Sequence, residues 1–117
     1  MRLQEVYAKY RDKADFWWVY VREAHPKDGP RPASHVELEQ PTSFERRLEV
    51  ATTCSGEISL AIPQVVDDMA DTAARAYNAL PDRLFVLRGG KVVYRGERGP
   101  RGFKVDEMEQ ALARLLP

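Results

Sequence analysis

One apolar segment near the start of the chain constrains the fold most. Residues 16–21 read Phe-Trp-Trp-Val-Tyr-Val, a run of aromatic and β-branched side chains with little alternation. Such a run predicts a β-strand that is covered on both faces, as in the sheets of α/β proteins. The strand leads into Glu23 and His25, and Asp28 and Gly29 then form a turn. Because α/β proteins often carry their chemistry where strands end, this segment predicts both a fold class and a candidate site.

Helical patterns precede and follow this strand. Apolar residues recur with helical spacing over residues 3–10 and again over residues 105–115, which predicts a first and a closing helix. Between them, Thr42–Glu45 has the spacing of a capping box and predicts the start of another helix. The apolar face expected for that helix comprises Phe44, Leu48 and Ala51. Asp71 is expected to cap a brief helix that ends near Tyr77.

Short apolar runs predict three more strands. Ile62–Val66 forms the first, and the carboxylates of Asp67–Asp68 are expected to be solvated at its end. Two adjacent carboxylates without a third ligand do not predict a metal site. Arg83–Leu87 and Lys91–Tyr94 form a hairpin, because Gly89–Gly90 permits the positive φ angles of a tight turn.

The order of these elements predicts the architecture. Helices alternate with strands, and a terminal antiparallel hairpin precedes the last helix. This order predicts an α/β fold with a thioredoxin-like three-layer sandwich, in which a mixed sheet ends in a C-terminal β-hairpin and helix. The length of 117 residues fits a single domain over residues 1–117.

Charge and cysteine content exclude several classes of protein. Lysine plus arginine and aspartate plus glutamate each number 18, so the formal net charge is +0. Such a balance gives no electrostatic reason to expect a nucleic-acid partner, and no apolar run approaches the ~20 residues that span a bilayer. The single cysteine, Cys54, excludes an internal disulfide and favours a reducing, cytoplasmic location.

The residues around the first strand resemble a known family. Tyr20–Gly29, which reads Tyr-Val-Arg-Glu-Ala-His-Pro-Lys-Asp-Gly, resembles the hallmark segment of the iodothyronine deiodinases and their bacterial relatives. Five other segments agree with that family in order and spacing: Ser43–Arg46, Val66–Met69, Ala76–Tyr77, Asp82–Val86 and Gly96–Pro100. The resemblance covers nearly the whole chain and implies the same thioredoxin-like fold.

The resemblance also implies a chemistry. Members of this family reductively remove iodine from an aromatic ring with a selenocysteine or a cysteine, and an external thiol is the reductant, with no bound cofactor. By resemblance, Glu23 and His25 are catalytic and serve proton transfer, and Arg83 binds a small aromatic or peroxidic substrate. In the family, the nucleophile lies on a strand-to-helix turn before the helix that begins here near Met1. We therefore expect this chain to lack the nucleophile-bearing strand, to be N-terminally incomplete and to be inactive alone.

Absence of that strand predicts two unpaired strand edges, at residues 16–21 and at Arg83–Leu87. Direct pairing of the two strands, self-association as a homodimer, or a further segment would each close the gap. Each candidate residue also has a purely structural interpretation. Glu23 and His25 suit a strand-end ion pair, Arg83 suits a surface arginine, and Cys54 suits helix packing as well as a redox thiol. A non-catalytic binding or assembly module is the alternative function, and a peroxidase that uses Cys54 is a third.

Overall fold

The chain is a mixed α/β protein in the part that the structure describes. The structure is a computed structural model, and it describes residues 2–22, 40–58 and 61–116. In chain order, its elements are α1 (Arg2–Tyr10), β1 (Trp18–Tyr20), α2 (Phe44–Ile58), β2 (Gln64–Val66), α3 (Thr72–Tyr77), β3 (Phe85–Arg88), β4 (Lys91–Arg95) and α4 (Val105–Leu115). The predicted order of helices and strands is therefore confirmed. Two compact units contain these elements: a parallel unit, Trp17–Leu80, and a hairpin unit, Met1–Phe16 with Pro81–Pro117.

The parallel unit is built around two short strands and one helix. β1 and β2 pair in parallel, with Val19 opposite Val65 and Tyr20 opposite Val66. A parallel pair needs a crossover connection, and α2 lies between the two strands in sequence. The buried cluster of this unit comprises Tyr20, Val50 and Ala51, with Cys54 and Val66 packed against it. One face of the strand pair is therefore packed on α2.

The first strand differs from its prediction in length and in burial. Regular pairing covers only Trp18–Tyr20, and the ring of Phe16 packs edge-on against Tyr7 with the ring centroids 5.3 Å apart. Trp17 is 63% exposed and Val19 is 41% exposed, whereas Tyr20 is buried. The expectation of a strand covered on both faces is wrong in the described structure, because α2 packs on only one side of it. Side chains of this strand alternate between buried and exposed, as in an ordinary half-buried strand, although nearly all of them are apolar.

The start of α2 is capped one residue later than predicted. The helix begins at Phe44, and the Ser43 hydroxyl accepts the backbone N–H of Arg46 at 3.2 Å. Ser43 is the residue directly before the first helical residue, and its side chain reaches the third N–H of the helix. The prediction of Thr42 as the capping residue is therefore wrong by one position.

The buried face of α2 is also rotated from its prediction. The inward residues are Arg47, Val50, Ala51 and Cys54, which recur at helical spacing. Phe44 is 45% exposed and Leu48 is 46% exposed, so of the three predicted residues only Ala51 is buried. The prediction followed the largest apolar side chains. The helix instead buries Arg47, because acceptors in the turn after β2 satisfy its guanidinium.

The hairpin unit has its own core. β3 and β4 pair antiparallel, and Gly89 and Gly90 have φ angles of 59° and 77° at the turn, as predicted. The buried side chains are Val6, Tyr10, Leu84, Met108 and Leu112, which come from α1, from the residue before β3 and from α4. The predicted apolar faces of the first and last helices are thereby confirmed.

Charged side chains join the two helices of the hairpin unit. Arg2 donates from Nε to Asp106 at 2.8 Å and also pairs with Glu109. Hydrogen bonds to Asp106 and then to Glu109 raise the pKa of Arg2 above its ordinary value. Asp106 in the first turn of α4, together with Glu109 further along the helix, thus binds the start of α1. The carboxylate of Asp106 also lies favourably at a helix N-terminus.

The described strands form two separate two-stranded sheets. β1 pairs with β2 and β3 pairs with β4, and within residues 2–22, 40–58 and 61–116 no ladder joins the pairs. Direct pairing of the two strands, one of three expected ways to close the predicted gap, is therefore not found among these residues. The single domain and the three-layer arrangement around one mixed sheet stay predictions.

Close packing at Gly102 leads to a stability prediction. A Cβ atom at this position would lie 2.5 Å from the Arg98 carbonyl oxygen and 2.5 Å from the Glu97 carbonyl carbon. Backbone atoms cannot move aside cheaply, so we expect Gly102→Ala to lower the free energy of unfolding by about 1–3 kcal/mol. Urea denaturation followed by circular dichroism measures the change.

Gly56 provides the matched control for that substitution. It lies within α2, and a Cβ atom there would meet no heavy atom within 4 Å. Alanine is a better helix former than glycine, so Gly56→Ala should raise the free energy of unfolding by about 0.5–1 kcal/mol. Equal effects of the two substitutions would show that the loop at Gly102 relaxes around a methyl group.

Candidate functional site

The parallel unit brings the ends of two strands to one edge. Because β1 and β2 run in the same direction, Val21 and Arg22 follow β1 at the same edge where Asp67 follows β2. The backbone N–H of Asp67 donates to the Tyr20 carbonyl at 2.8 Å, which extends the pairing one step beyond the strands. The carboxyl edge of a parallel pair is where α/β proteins place their ligands. Glu23 follows Arg22 directly in the sequence.

Asp67 organises the turn between β2 and α3. Its side chain is buried, and Oδ1 accepts the N–H groups of Asp68 and Ala73, both at 2.9 Å. Its other oxygen, Oδ2, accepts the N–H of Ala74 at 2.9 Å. The bonds from Ala73 and Ala74 satisfy N–H groups that the first turn of α3 leaves unpaired. The prediction of a solvated carboxylate is wrong for Asp67, which is a buried helix cap.

Asp68 and Asp71 differ in their contribution to capping α3. Asp68 is exposed, as predicted, and accepts both the N–H of Thr72 at 2.9 Å and its hydroxyl at 2.7 Å. The Thr72 hydroxyl, and then its N–H, lower the pKa of Asp68 from the ordinary value. Asp71, the predicted cap, makes no side-chain capping bond, and its backbone is left-handed with φ 57°. That prediction is wrong because the two preceding carboxylates already cap the helix.

A buried arginine completes this edge. Arg47 of α2 is 2% exposed, and Nη1 donates to the carbonyl oxygens of Asp67 at 3.4 Å and Asp68 at 2.5 Å. Its Nη2 donates to Asp71 Oδ1 at 3.0 Å. The other oxygen of Asp71 lies 3.5 Å from Nη1 of Arg22. Arg47 thus connects α2 to the turn after β2. Through Asp71 it is also connected to Arg22, which follows the end of β1.

Sequence reasoning missed Arg47. A signal was present, because Arg47 shares helical spacing with Val50, Ala51 and Cys54. A charged residue on an apolar face usually rotates toward solvent, and it stays buried only where acceptors satisfy it. Those acceptors lie 20 to 24 residues further along the chain, so no local pattern could have identified them.

The predicted catalytic pair lies outside the described residues. Glu23 and His25 belong to the segment 23–39, for which the structure gives no description. Their assignment stays a prediction. The last described residue before them is Arg22, whose side chain pairs with Asp71.

Arg83 lies in the hairpin unit, before β3. It is half-buried, and Nε donates to the Gly96 carbonyl at 2.7 Å. Its guanidinium carbon lies 5.4 Å from the centroid of the Phe85 ring, within cation–π range. The side chain is therefore oriented by a hydrogen bond and by an aromatic face. Its predicted contact with substrate stays a prediction.

Cys54 lies in the parallel unit, on the inward face of α2. It is half-buried and packs against the cluster that contains Tyr20, Val50 and Ala51. This location agrees with the packing role expected of it. The redox role of Cys54 stays a prediction, and Cys54 and Arg83 belong to different units.

Among the described residues, no group of three or more histidine, cysteine, aspartate or glutamate side chains is arranged to hold a metal ion. No helix within residues 2–22, 40–58 and 61–116 has the length and apolar character needed to cross a bilayer.

Known proteins match nearly the entire chain. A family profile described as iodothyronine deiodinase matches residues 1–116. Thyroxine 5-deiodinase of Sparus aurata is 36% identical over 110 residues, which cover 93% of this chain and 41% of that protein. Thyroxine 5-deiodinase of Homo sapiens is 36% identical over 113 residues, covering 95% of this chain and 36% of that protein.

A relative of a second type matches the same region. Type I iodothyronine deiodinase of Xenopus laevis is 34% identical over 100 residues, covering 86% of this chain and 39% of that protein. The chain spans about two fifths of the length of the curated relatives that it matches. The predicted family resemblance is confirmed, and the chain belongs to the iodothyronine deiodinase family.

Proposed function

We propose that this chain carries the proton-transfer and substrate-orienting residues of a thiol- or selenol-dependent reductive dehalogenase. The observation that carries the proposal is the family match over residues 1–116, which includes the Glu23–His25 segment and Arg83. The relatives named thyroxine 5-deiodinase favour an iodinated aromatic ring as the substrate class. A small iodinated phenol is the simplest member of that class.

The proposed reaction assigns a role to each residue. A thiolate or selenolate attacks iodine, a bond forms between the nucleophile and iodine, and the electron pair of the carbon–iodine bond passes to the ring carbon. His25, in its protonated form, delivers a proton to that carbon, and Glu23 accepts a hydrogen bond from the imidazole and orients it. An external dithiol then reduces the nucleophile–iodine bond, which releases iodide and forms a disulfide. We assign the nucleophile to no residue of this chain.

Arg83 is proposed to orient the substrate. A guanidinium presents a planar fork of donors that fits a carboxylate or a phenolate. The Arg83 side chain is already restrained by its bond to the Gly96 carbonyl and by its position over Phe85. Substrate binding would therefore cost less side-chain entropy. The exposed β3–β4 hairpin and α4 form the surrounding scaffold.

The proposed function includes the expected fold. A parallel strand pair and an antiparallel hairpin are both parts of the mixed sheet in a thioredoxin-like domain, and the chain has one of each. We propose that residues 1–117 contribute both to one such domain. The nucleophile-bearing strand would lie between β1 and β3 in that domain.

Iodide release tests this proposal. The 117-residue chain is assayed with a diiodinated phenol and excess dithiothreitol, alone and joined at Met1 to the preceding segment of a thyroxine 5-deiodinase. We expect turnover only from the joined protein, and His25→Asn should lower its kcat by about 10²–10⁴-fold, as loss of a general acid does. Arg83→Lys should raise KM more than it lowers kcat, because it removes the fork but keeps the charge.

Arg88→Lys is the matched control for Arg83→Lys. Arg88 is the last residue of β3, is exposed and donates to the Leu115 carbonyl at 3.4 Å. Arg88→Lys should leave both kcat and KM unchanged. Equal turnover by the chain alone and the joined protein would show that the nucleophile has been misplaced, and would bring Cys54 back as the candidate thiol.

A non-catalytic binding or assembly module is the alternative. The observation that favours it is the exposed apolar face of the parallel unit, where Trp17, Val19 and Val65 are 63%, 41% and 41% exposed. Such side chains are typical of protein interfaces. If neither protein releases iodide while Trp17→Ser abolishes self-association in light scattering, the module is the better assignment.

A further inference from the structure

Side chains alternate between two faces where the chain enters β3. Leu84 is buried in the core of the hairpin unit, and Val86 packs against that core. Arg83 and Phe85 lie two residues apart, so an extended backbone points both side chains to the opposite face. There the guanidinium carbon of Arg83 lies 5.4 Å from the centroid of the Phe85 ring. The aromatic neighbour of Arg83 is therefore set by the strand itself.

The loop that follows β4 holds the main chain on both sides of Arg83. The N–H of Gly96 donates to the Leu84 carbonyl at 2.9 Å, and the N–H of Gly99 donates to the Asp82 carbonyl at 2.9 Å. Gly96 is buried, and its own carbonyl accepts from Nε of Arg83 at 2.7 Å. The acceptor is a main-chain group, which has no rotamer through which to turn away. The loop thus restrains both the backbone around Arg83 and its side chain.

Close approach of this loop to residues 82–84 depends on two glycines. A Cβ atom at Gly99 would overlap the carboxylate of Asp82. A Cβ atom at Gly96 would lie 3.2 Å from the Tyr94 hydroxyl oxygen and 3.3 Å from the Leu84 carbonyl oxygen, tighter than ordinary van der Waals contact. Because glycine has no Cβ, the backbone can lie against its neighbours here. The Gly96 carbonyl is therefore held at a fixed place beside Arg83.

We propose that Phe85 and Gly96 are positioning residues for Arg83. The Gly96 carbonyl fixes the place of Nε, and the face of the Phe85 ring fixes the plane of the guanidinium. Two constraints at different atoms define the direction of the guanidinium fork, and a fork held in one direction binds an anionic oxygen with a smaller loss of entropy. The inference rests on the proposed function for the contact of Arg83 with substrate, whereas the restraint of Arg83 is a property of the hairpin unit alone.

Nuclear magnetic resonance of the 117-residue chain tests the restraint directly. The Nε–H resonance of Arg83 is identified by its loss in Arg83→Lys, and ¹⁵N relaxation gives its order parameter. We expect this order parameter to fall in Phe85→Leu, which keeps an apolar side chain but removes the ring face, and to be retained in Phe85→Tyr. In the unmodified chain the Nε proton should exchange with solvent several-fold more slowly than those of exposed arginines, because it is bonded to a buried carbonyl.

Kinetics of the joined protein test the consequence for substrate. Phe85→Leu should raise KM by about two- to fivefold, as expected for loss of a cation–π contact, with little change in kcat. Phe85→Tyr should restore most of the affinity. Leu87→Ala is the control, because Leu87 is the next outward residue of β3 and is 50% exposed. It should leave both the order parameter and KM unchanged.

The outcomes separate this inference from the function on which it rests. An order parameter that is unchanged in Phe85→Leu, or that falls equally in Phe85→Tyr, would overturn the role of the ring. Fast solvent exchange of the Nε proton would overturn the role of Gly96. Lower stability of Phe85→Leu in urea with an unchanged KM would assign Phe85 to packing and would also overturn the inference. Absence of iodide release from the joined, unmodified protein would refute the proposed function, and the relaxation data would still decide whether Phe85 restrains Arg83.

Discussion

Replacing Asp67 by alanine is expected to lower the free energy of unfolding by about 2–4 kcal/mol. The carboxylate accepts three backbone N–H groups, and that of Ala74 is buried. A buried donor left without an acceptor costs about 1–3 kcal/mol, and the others regain water only in part. Urea denaturation at neutral pH, followed by circular dichroism, measures the loss.

Asp68→Ala is the matched control, since it removes the adjacent carboxylate. The Asp68 carboxylate is exposed and accepts the N–H and hydroxyl of Thr72, which water can replace, so its loss should be smaller. Because the pKa of Asp68 is lowered in the folded state, its contribution is present above the ordinary value of 3.8 and is lost as pH falls through the folded-state value. The difference between Asp68→Ala and the unmodified chain should therefore shrink on acidification. Equal losses for the two alanine variants at neutral pH would contradict the buried-cap assignment of Asp67.

Leu112→Ala is expected to lower the free energy of unfolding by about 2–5 kcal/mol, the range typical of leucine removed from a packed core. Leu112 is 5% exposed on α4 and belongs to the cluster that contains Val6 and Met108. Truncation removes three carbon atoms and leaves a cavity among side chains from separate elements. Thermal and urea denaturation both report the change, and it should be accompanied by little change in secondary structure at low denaturant.

Leu48→Ala provides the contrast, because it is the same substitution on another helix. Leu48 has the spacing of a core residue in the sequence, but its side chain is 46% exposed on α2. We expect a change of no more than about 0.5 kcal/mol, as for most surface substitutions. A loss as large as that of Leu112→Ala would show that the exposed face of α2 is covered in solution.

Local sequence signals predicted the elements well. The helical spacing of α1 and α4 and the Gly89–Gly90 turn each depend on residues close together in the chain, and each was found where expected. Boundaries were less accurate, since β1 covers only Trp18–Tyr20. Strand ends depend on where the partner strand ends, and β2 lies more than 40 residues away.

The candidate site was predictable to a smaller extent. Resemblance to the deiodinases is sufficient to identify Glu23, His25 and Arg83 as candidate site residues. The arrangement of the carboxyl edge was not predicted, because it depends on which charged groups become neighbours. Arg47 was overlooked, and the capping role given to Asp71 belongs to Asp67 and Asp68.

The sequence by itself determined the order and type of the elements, the tight turn and the family. Those properties follow from side-chain spacing within a few residues and from motifs read along the chain. Only the tertiary structure decided which face of α2 is buried and which carboxylate caps α3. Because a helix turns by about 100° per residue, sequence spacing alone does not decide which of two neighbouring faces is buried. The acceptors that allow Arg47 to be buried come from a turn 20 to 24 residues away.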